Sequence, residues 1–461
     1  MLVPHFEHKL FLTATPHNGY PESFTSLLEL LDNQRFARGV SPDRKQLQVV
    51  MVRRLKQEMQ NWDGSPLFPV RQLESIAVDY SAQERQVHRA LREYTELRTT
   101  SAIDGVEKYA TEFVLKLLKK RLFSSPQAFA MTLAQHESSL VHSQRRKGGL
   151  RSRPVEGILR RQLEQIEEEF ADDAWFESVT EDSIDQSSQL FRPLNSEEES
   201  LIQQMKQWAQ QASAQMDTKA QEFLNWLETH LRPDGQWCRE RVIIFTEYRA
   251  TQKWLYELLA THGLVQGDRL MTLYGGMASD DRESVKAAFQ TDPDVSPVRI
   301  LLATDAASEG LDLQNFCSRL IHYEIPWNPN RMEQRNGRID RHGQQSDAVM
   351  IYHFVGRNYQ AQSAMKVRPG DLEGDLEFLM RAALKVNNIR EDLGKVGLVI
   401  ATQVEEAMLG HRVTLDTAQA ERESAPVRQM LKFEQQLRER IGQLHDQLIE
   451  TQQALRLGTS N

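Results

Sequence analysis

The sequence has 461 residues, a formal net charge of -9 and two cysteines, Cys238 and Cys317. The acidic balance excludes a positive field over the whole surface, the kind that attracts nucleic acid without a built groove. Two cysteines without paired spacing exclude a disulfide framework and a zinc site, which favours a reducing compartment. No apolar run reaches the roughly 18 residues that span a bilayer, and the first residues lack a signal-peptide pattern. We therefore expect a soluble, cytoplasmic protein of two to four domains that binds no membrane.

The first 75 residues predict one strand, a turn and a helix. The strand is LFLT at residues 10–13, and the helix lies in the sequence PESFTSLLELLD that follows the turn. A single strand with one helix cannot bury its own apolar face. We therefore expect residues 1–75 to be the final part of an α/β domain whose other strands lie outside this sequence.

Residues 76–235 are predicted to be a helical insertion with a charged linker. Helical periodicity covers residues 80–98 and 109–123. The basic stretch 143–161 then runs directly into the acidic stretch 164–182. Such a reversal of charge favours a solvated linker, although the basic half could instead lie on a phosphate backbone.

Residues 236–360 contain the clearest domain. Helical patterns at 248–263 and 279–290 alternate with short apolar runs that predict strands, at residues 241–246, 269–274, 298–304, 319–325 and 348–355. This alternation predicts an α/β domain, a parallel sheet with helices on both faces. Residues 361–461 are predicted to be a helical C-terminal extension that includes a charged helix at 432–457.

The segment NPNRMEQRNGRIDRHGQ, residues 328–344, carries four arginines within eleven positions: Arg331, Arg335, Arg338 and Arg341. Asn328 as an N-cap and Pro329 as the first helical residue predict the start of a helix. On this helix Gln334 shares one face with the last three arginines, and Met332 and Ile339 form an apolar edge that can dock on the sheet.

A helix face of this kind is often only a solvated arginine surface. Three features favour an anion site instead. Gly337 falls inside the predicted helix, where glycine costs about 1 kcal/mol relative to alanine, which suggests close approach by another group. The helix follows a strand, so its start lies near the edge where open α/β sheets bind ligands. Guanidinium groups also match the oxygens of a polyphosphate.

The sequence QRNGRIDR, residues 334–341, resembles motif VI of superfamily 2 helicases, a Q-x-x-G-R-x-x-R pattern. The resemblance implies that Arg338 and Arg341 are arginine fingers for the terminal phosphate of ATP and that Gln334 lies near the nucleotide. The sequence LLATDAASEGLDLQ, residues 301–314, resembles motif V of the same family. It implies nucleic-acid contacts at Thr304 and Asp305, and an approach to the nucleotide ribose at Gly310 and Asp312.

Three further stretches resemble motifs of this superfamily. IIFTEYR at 243–249 resembles motif IV and implies nucleic-acid contacts at Thr246 and Tyr248. LYGGM at 273–277 resembles the next nucleic-acid-facing loop, with Gly275, although its glycine pair could simply make the turn. FLTATPHNG at 11–19 resembles motif III, in which Thr13 and Thr15 would couple nucleotide state to nucleic-acid grip.

The forms TATPHNG, VRRLKQEM and LLKKRLFSSPQAF resemble the Swi/Snf-type branch, and within it the RapA-like group that includes the DrmD helicase of DISARM anti-phage systems. The resemblance implies a RecA-like fold. It divides the chain into the tail of a first RecA-like lobe (1–75), the helical insertion (76–235), a second RecA-like lobe (236–360) and the helical extension (361–461).

The sequence contains no G-x-x-x-x-G-K-[ST] loop and no D-E-x-H motif, the elements that hold the phosphates and the magnesium ion of ATP. We therefore expect ATP and Mg²⁺ to be held by a first-lobe segment or chain, and the isolated chain to be inactive. The predicted function is the C-terminal portion of an ATP-dependent helicase or translocase that acts on nucleic acid, with duplex DNA as the favoured track. A role in anti-phage defence, beside other defence-complex subunits, follows from the same resemblance. The alternatives are a catalytically incomplete nucleic-acid-binding or regulatory subunit, and a scaffold that keeps only the fold.

Overall fold

The computed structural model describes residues 6, 8–12, 21–52, 56, 59–61, 63–145, 172–188, 190–305, 312–361, 368–389 and 393–418. These residues contain a six-stranded parallel sheet in the order β1-β6-β5-β2-β4-β3. The strands are β1 (Val70–Val78), β2 (Val242–Thr246), β3 (Leu270–Leu273), β4 (Ile300–Thr304), β5 (Arg319–His322) and β6 (Ala348–Gly356).

The described helices fall into three groups along the chain. Two short helices come before the sheet, α1 (Pro21–Leu31) and α2 (Arg44–Val50). The insertion between β1 and β2 holds α3 (Ala82–Thr100), α4 (Gly105–Ser124), α5 (Pro126–Arg145), α6 (Asp173–Ser188), α7 (Ser196–Ala214) and α8 (Thr218–Leu231). The remaining helices are α9 (Arg249–Thr261), α10 (Ser279–Gln290), α11 (Pro329–Asn336), α12 (Leu372–Ile389) and α13 (Leu393–Met408).

Helices cover both faces of the sheet, as alternation along the central strands requires. On β2, Val242 and Ile244 face one core, which α8, α9 and α12 complete. Ile243 and Phe245 face the opposite core, which includes Phe289 of α10. Burial on both faces explains why these strands read as continuous apolar runs. The predicted RecA-like α/β fold is therefore confirmed.

The strand β1 was absent from the prediction. It pairs along its whole length with β6, from Val70 opposite Ala348 to Val78 opposite Gly356. As an edge strand it is exposed at several positions and carries charged side chains, so its sequence VRQLESIAV lacks the apolar run that marked the other strands. Because β1 pairs with β6, the sheet extends across the boundary expected at residue 75.

The strand predicted at residues 10–13 is wrong for its described part. Residues 10–12 adopt no regular structure, and Leu10 and Leu12 are 81% and 87% exposed. A strand needs a neighbour for its backbone groups, and none of the described strands lies beside these residues. Thr13 and Thr15 lie outside the described residues.

Two predicted segments also fall outside the described residues, most of the charged linker after residue 145 and the helix at 432–457. The described part of the C-terminal extension is helical. Phe378 and Val386 of α12, with Ile400 and Val404 of α13, join the core on one face of the sheet. No described helix combines the length and the apolar character that crossing a bilayer demands.

Buried histidines make the stability of this fold depend on pH. Burial lowers the pKa of His136 and of His353 to about 3. The rings of His322 and His353 stack with centroids 4.7 Å apart, and burial also lowers the pKa of His322. The unfolded chain takes up these protons near pH 6.5. The contribution of each neutral histidine is therefore complete above pH 6.5 and is lost as the pH falls towards 3.

Acidification from pH 7 to pH 5 is expected to lower the free energy of unfolding by about 2 kcal/mol for each such histidine. Urea unfolding followed by circular dichroism measures this loss. The variant His353→Leu removes an ionisable ring whose two nitrogens have no hydrogen-bond partner among the described residues. This variant should therefore lose less free energy of unfolding between pH 7 and pH 5 than wild type. The exposed His262→Gln should behave as wild type. Equal losses in His353→Leu and wild type would contradict the prediction.

Candidate nucleotide and nucleic-acid site

Parallel strands bring their carboxyl ends to one edge of the sheet, and three of the predicted nucleic-acid residues lie there. Thr246 ends β2 and lies opposite Thr304, which ends β4. Gly275 follows β3, the neighbour of β4. The helix α11 begins beside the same edge, after β5. The sheet thus brings together Thr246, Gly275 and Thr304, which are up to 58 positions apart in the sequence.

The arginine helix starts as predicted but ends early. Asn328 is the N-cap, its side chain accepts a hydrogen bond from the Asn330 amide, and Pro329 is the first helical residue. The helix ends at Asn336, with Gly337 as its C-cap. The prediction that Gly337 lies inside the helix is wrong, because glycine has a low helical propensity and favours the end of a helix. A Cβ at Gly337 would lie 3.2 Å from the Glu333 carbonyl oxygen, so the turn is tight.

The early end of α11 separates the four arginines. Arg331 and Arg335 are on the helix, whereas Arg338 and Arg341 lie in the turn that follows it. The predicted single helical face for all these side chains is therefore also wrong. The apolar docking edge is confirmed, because Met332 and Ile339 are both buried. They belong to cores on opposite faces of the sheet, so the segment wraps around its edge.

The two helical arginines are held by carboxylates from the strand ends. Arg335 Nη2 donates to Asp305 Oδ2 at 2.8 Å, and Arg331 Nη1 donates to Glu247 Oε1 at 2.9 Å. Burial by itself lowers the pKa of Arg335, but the Asp305 carboxylate outweighs burial and raises that pKa above its ordinary value. Burial likewise raises the pKa of Glu247, but Lys120 and Arg331 reverse the shift and lower it. This pair of arginines therefore ties the helix to the sheet.

The other two arginines are those assigned to the γ-phosphate. Arg338 is buried. Arg341 donates from Nε to the Gly337 carbonyl at 2.8 Å, and its guanidinium forms an ion pair with Asp312. The side chains of Arg341 and Asp312 are 33% and 54% exposed. The structure thus joins two predicted nucleotide-site residues at the surface. Gln334 is half-buried on α11, and Gly310 lies outside the described residues.

An arginine of β1 also forms ion pairs with two acidic residues of the arginine segment. Arg71 donates from Nη1 and Nη2 to both carboxylate oxygens of Glu333, at 2.6 and 2.8 Å. Its Nε donates to Asp340 Oδ2 at 3.1 Å, and Lys56 lies 3.6 Å from the same oxygen. Arg71 and Asp340 are buried. This pairing fixes both sides of the turn that carries Arg338.

Two of the predicted nucleic-acid residues are covered by the helical insertion. The Thr304 hydroxyl is buried and donates to Asp173 Oδ2 at 2.7 Å. The backbone amide of Gly275 donates to the same oxygen at 2.7 Å. Asp173 is the first residue of α6, more than a hundred positions upstream of both donors. These loops therefore already bind an anionic oxygen, supplied by the protein itself.

Thr246 and Tyr248 are covered by the insertion as well. The Thr246 hydroxyl donates to Glu324 Oε2 at 3.2 Å, and the Ser124 hydroxyl donates to the same oxygen at 3.2 Å. The Arg121 guanidinium lies 3.7 Å from the centroid of the Tyr248 ring. Thr246 and Tyr248 are both buried, so the nucleic-acid contacts predicted for them would require α4 to move.

The segment that contains β2 to β5 and the arginine turn matches a known domain. Residues 225–343 match the helicase conserved C-terminal domain. The matched segment is similar to the C-terminal portion of superfamily 2 helicases of the Swi/Snf type. This helicase portion is therefore the part of the chain to which the arginine segment and the strand ends belong.

Two relatives and one solved structure show the extent of the similarity. An uncharacterized ATP-dependent helicase, YqhH of Bacillus subtilis (strain 168), is 34% identical over 172 residues, 36% of this chain and 29% of YqhH. RNA polymerase-associated protein RapA of Serratia proteamaculans (strain 568) is 28% identical over 138 residues, 30% of this chain and 13% of RapA. The C-terminal part of the Fun30 ATPase domain has a TM-score of 0.34 at 17% identity, covering 70% of this chain and 99% of that chain. The helicase portion spans less than a third of the length of either relative.

Sequence reasoning missed several side chains that lie in the helicase portion or contact it. Arg71 lies in a strand without an apolar run, and Glu324 follows the apolar part of its strand, so neither stood out as a site residue. Asp173 is one acid among many in the stretch 164–182. The only signal that could have singled it out is its position at the start of a helix, where aspartate is common for local reasons.

Proposed function

We propose that this chain is the C-terminal portion of an ATP-dependent DNA helicase or translocase of the cytoplasm, which completes a nucleotide site held mainly by a first lobe. The observation that carries the proposal is the Arg341–Asp312 ion pair at the surface end of a braced turn. A guanidinium that holds a carboxylate there can also hold phosphate oxygens, which have the same charge and similar hydrogen-bond geometry.

ATP fits the residues of this turn. Arg341 is partly exposed, and Arg338 lies three residues away in the same fixed turn, so both guanidinium groups come from one rigid support. We assign Arg338 and Arg341 to charge stabilisation on the terminal phosphate. We assign contacts with the rest of the nucleotide to three further residues, Gln334, Gly310 and Asp312. ATP supplies the phosphoryl group, and the arginines bind and orient it.

A magnesium ion does not fit this part of the protein. Among the described residues, no group of three or more histidine, cysteine, aspartate or glutamate side chains could hold a metal. Acidic groups near the arginines, such as Asp305 and Glu333, are already engaged by Arg335 and Arg71. We therefore assign Mg²⁺ to the first lobe, together with the phosphate-binding loop.

The nucleic-acid track is assigned to the loops at the carboxyl edge of the sheet. Gly275 and Thr304 offer a backbone amide and a hydroxyl to one oxygen, which suits a backbone phosphate. We keep Thr246, Tyr248 and Asp305 as further contacts along this edge, and Thr13 and Thr15 as the coupling element. Duplex DNA as the track, and a part in anti-phage defence with other subunits, rest on the resemblance to RapA-like and DrmD-type helicases alone.

ATP hydrolysis by a reconstituted pair of lobes tests the proposal. The full chain is mixed with a first-lobe protein that carries a G-x-x-x-x-G-K-[ST] loop and a D-E-x-H motif, with and without duplex DNA. The chain alone is expected to show no hydrolysis above background, and the mixture is expected to hydrolyse ATP with stimulation by DNA. A mixture that binds DNA but stays inactive would support the regulatory subunit instead. Robust hydrolysis by the chain alone would overturn the assignment of the phosphate loop to a first lobe.

A further inference from the structure

The carboxylate of Asp173 occupies a site built by two neighbouring loops of the helicase domain. A single oxygen, Oδ2, accepts hydrogen bonds from the Gly275 amide and the Thr304 hydroxyl, both at 2.7 Å. The two donors lie at the carboxyl ends of the adjacent parallel strands β3 and β4. Asp173 and Thr304 are buried. Convergent donors on one buried oxygen form a site for an anion, since a backbone amide and a hydroxyl suit a phosphate as well as a carboxylate.

The residues beside Asp173 continue this acidic contact. Gly276 has a φ of +82°, and a Cβ there would lie 3.2 Å from the Asp172 carboxylate, so the start of α6 presses directly on the glycine turn. The guanidinium of Arg249, which lies 3.5 Å from the centroid of the Tyr274 ring, interacts with the charges of Asp173 and Glu177. The acidic end of α6 thus faces the amide, the hydroxyl and a cation of the helicase domain.

This acidic contact has an electrostatic cost. Burial raises the pKa of Asp173, and the hydrogen bonds from Thr304 and Gly275 only partly offset that shift. Glu177 Oε1 is buried and has no hydrogen-bond partner among the described residues. A carboxylate that loses its water without gaining enough hydrogen bonds is bound less tightly. A competing anion can therefore displace it from its donors.

The helix α6 is anchored at its other end. Ile184 is buried in the core of the insertion, and Asp185 Oδ1 accepts a hydrogen bond from Gln135 Nε2 of α5 at 2.7 Å. Near the start of the helix, by contrast, Trp175 is 54% exposed. The first turn can therefore leave the loops while the second half of α6 keeps its place on α5.

We propose that the first turn of α6 is a built-in competitor of nucleic acid, in which the Asp173 carboxylate takes the place of a backbone phosphate on Gly275 and Thr304. The inference rests on the proposed function, because it assigns these two loops to the nucleic-acid track. Duplex DNA and the docked helix exclude one another, since both need the same two donors and both are negatively charged. While α6 is docked, DNA cannot bind Gly275 and Thr304. While a DNA phosphate is bound there, α6 cannot dock.

The first test compares the affinities of variants of the full chain for fluorescein-labelled duplex DNA by anisotropy at one fixed salt concentration. Asp173→Asn keeps the shape of the side chain and removes its charge. If the docked state predominates by about tenfold, its release raises DNA affinity by the same factor. Asp182→Asn removes the same charge from an exposed position of the same helix, and it should change affinity by less than about twofold. Adding Thr304→Val to Asp173→Asn should abolish the gain, because the phosphate then loses the hydroxyl.

The second test uses hydrogen exchange of the wild-type chain and does not depend on any variant folding. DNA is expected to speed exchange of the backbone amides at 174–178 and to leave those of α7 unchanged. Equal affinity of wild type and Asp173→Asn, or unchanged exchange at 174–178 while DNA is bound, would overturn the competitor and leave the helicase assignment standing. Absence of DNA binding in wild type and Asp173→Asn alike would overturn the assigned track and the competitor together.

Discussion

Replacing Arg338 or Arg341 by alanine is expected to lower ATP turnover of the assembled two-lobe enzyme by at least about 100-fold. An arginine that stabilises charge on a transferring phosphoryl group contributes about 10³ to 10⁵ in rate. Neither side chain is required to tie α11 to the sheet, because Arg331 and Arg335 do that through Glu247 and Asp305. The loss should therefore appear in kcat, and for the partly exposed Arg341 the melting temperature should change little.

Arg341 can exchange its carboxylate partner for a phosphate at modest cost. Asp312 is more than half exposed, so water solvates it as soon as the ion pair opens. The Nε bond to the Gly337 carbonyl keeps the guanidinium oriented during the exchange. Arg341→Lys retains the charge but not the planar fork, and it should recover only part of the lost activity.

The matched control is Arg357→Ala, which removes an exposed arginine at the end of β6 that pairs with Asp79 at 2.8 Å, outside the turn. It should leave turnover within about twofold of wild type, as expected for an exposed ion pair of little energetic weight. Steady-state hydrolysis at saturating ATP and DNA compares wild type with the four variants. Unchanged turnover in Arg338→Ala or in Arg341→Ala would remove that arginine from the assigned role.

The sheet could be predicted wherever the sequence carried local information. The runs around Val242 and Ile300 are buried on both faces, so their pattern is continuous and unambiguous. The start of α11 could be predicted because Asn328 and Pro329 are a local signal for a helix N-terminus. The strand expected at residues 10–13 was wrong over its described residues, 10–12, because pairing is not local. An apolar run becomes a strand only beside another strand.

The different partners of the four arginines could not be predicted from their spacing. Spacing indicates which side chains share a helical face, but Gly337 ends the helix in the middle of the series. The partners that distinguish Arg335 from Arg341 are Asp305 and Asp312, and which carboxylate meets which arginine depends on the assembled strand ends. The same holds for Asp173, whose contact joins residues that are 131 positions apart.

Arg71→Met is expected to destabilise the helicase domain by about 3–5 kcal/mol, the usual cost of removing one partner from a buried ion pair. Methionine keeps most of the length of the side chain, so the loss does not come mainly from a cavity. Among the described residues, it leaves the buried carboxylate of Asp340 with Lys56 at 3.6 Å, and it removes the Arg71 partner of Glu333. Unfolding in urea, followed by circular dichroism, gives the change in stability.

Arg71 is a positioning residue, so its loss should also be visible at the turn it braces. Hydrogen exchange across residues 333–341 is expected to rise in Arg71→Met, and turnover of the assembled enzyme to fall through kcat. Arg71→Lys keeps one charge-assisted contact but cannot reach Glu333 and Asp340 together, and it should lie between wild type and Arg71→Met. The exposed Arg92→Ala, which removes a surface pair with Glu96, serves as the control. If Arg71→Met kept wild-type stability and exchange, the turn that carries Arg338 would have to be held by the sheet alone.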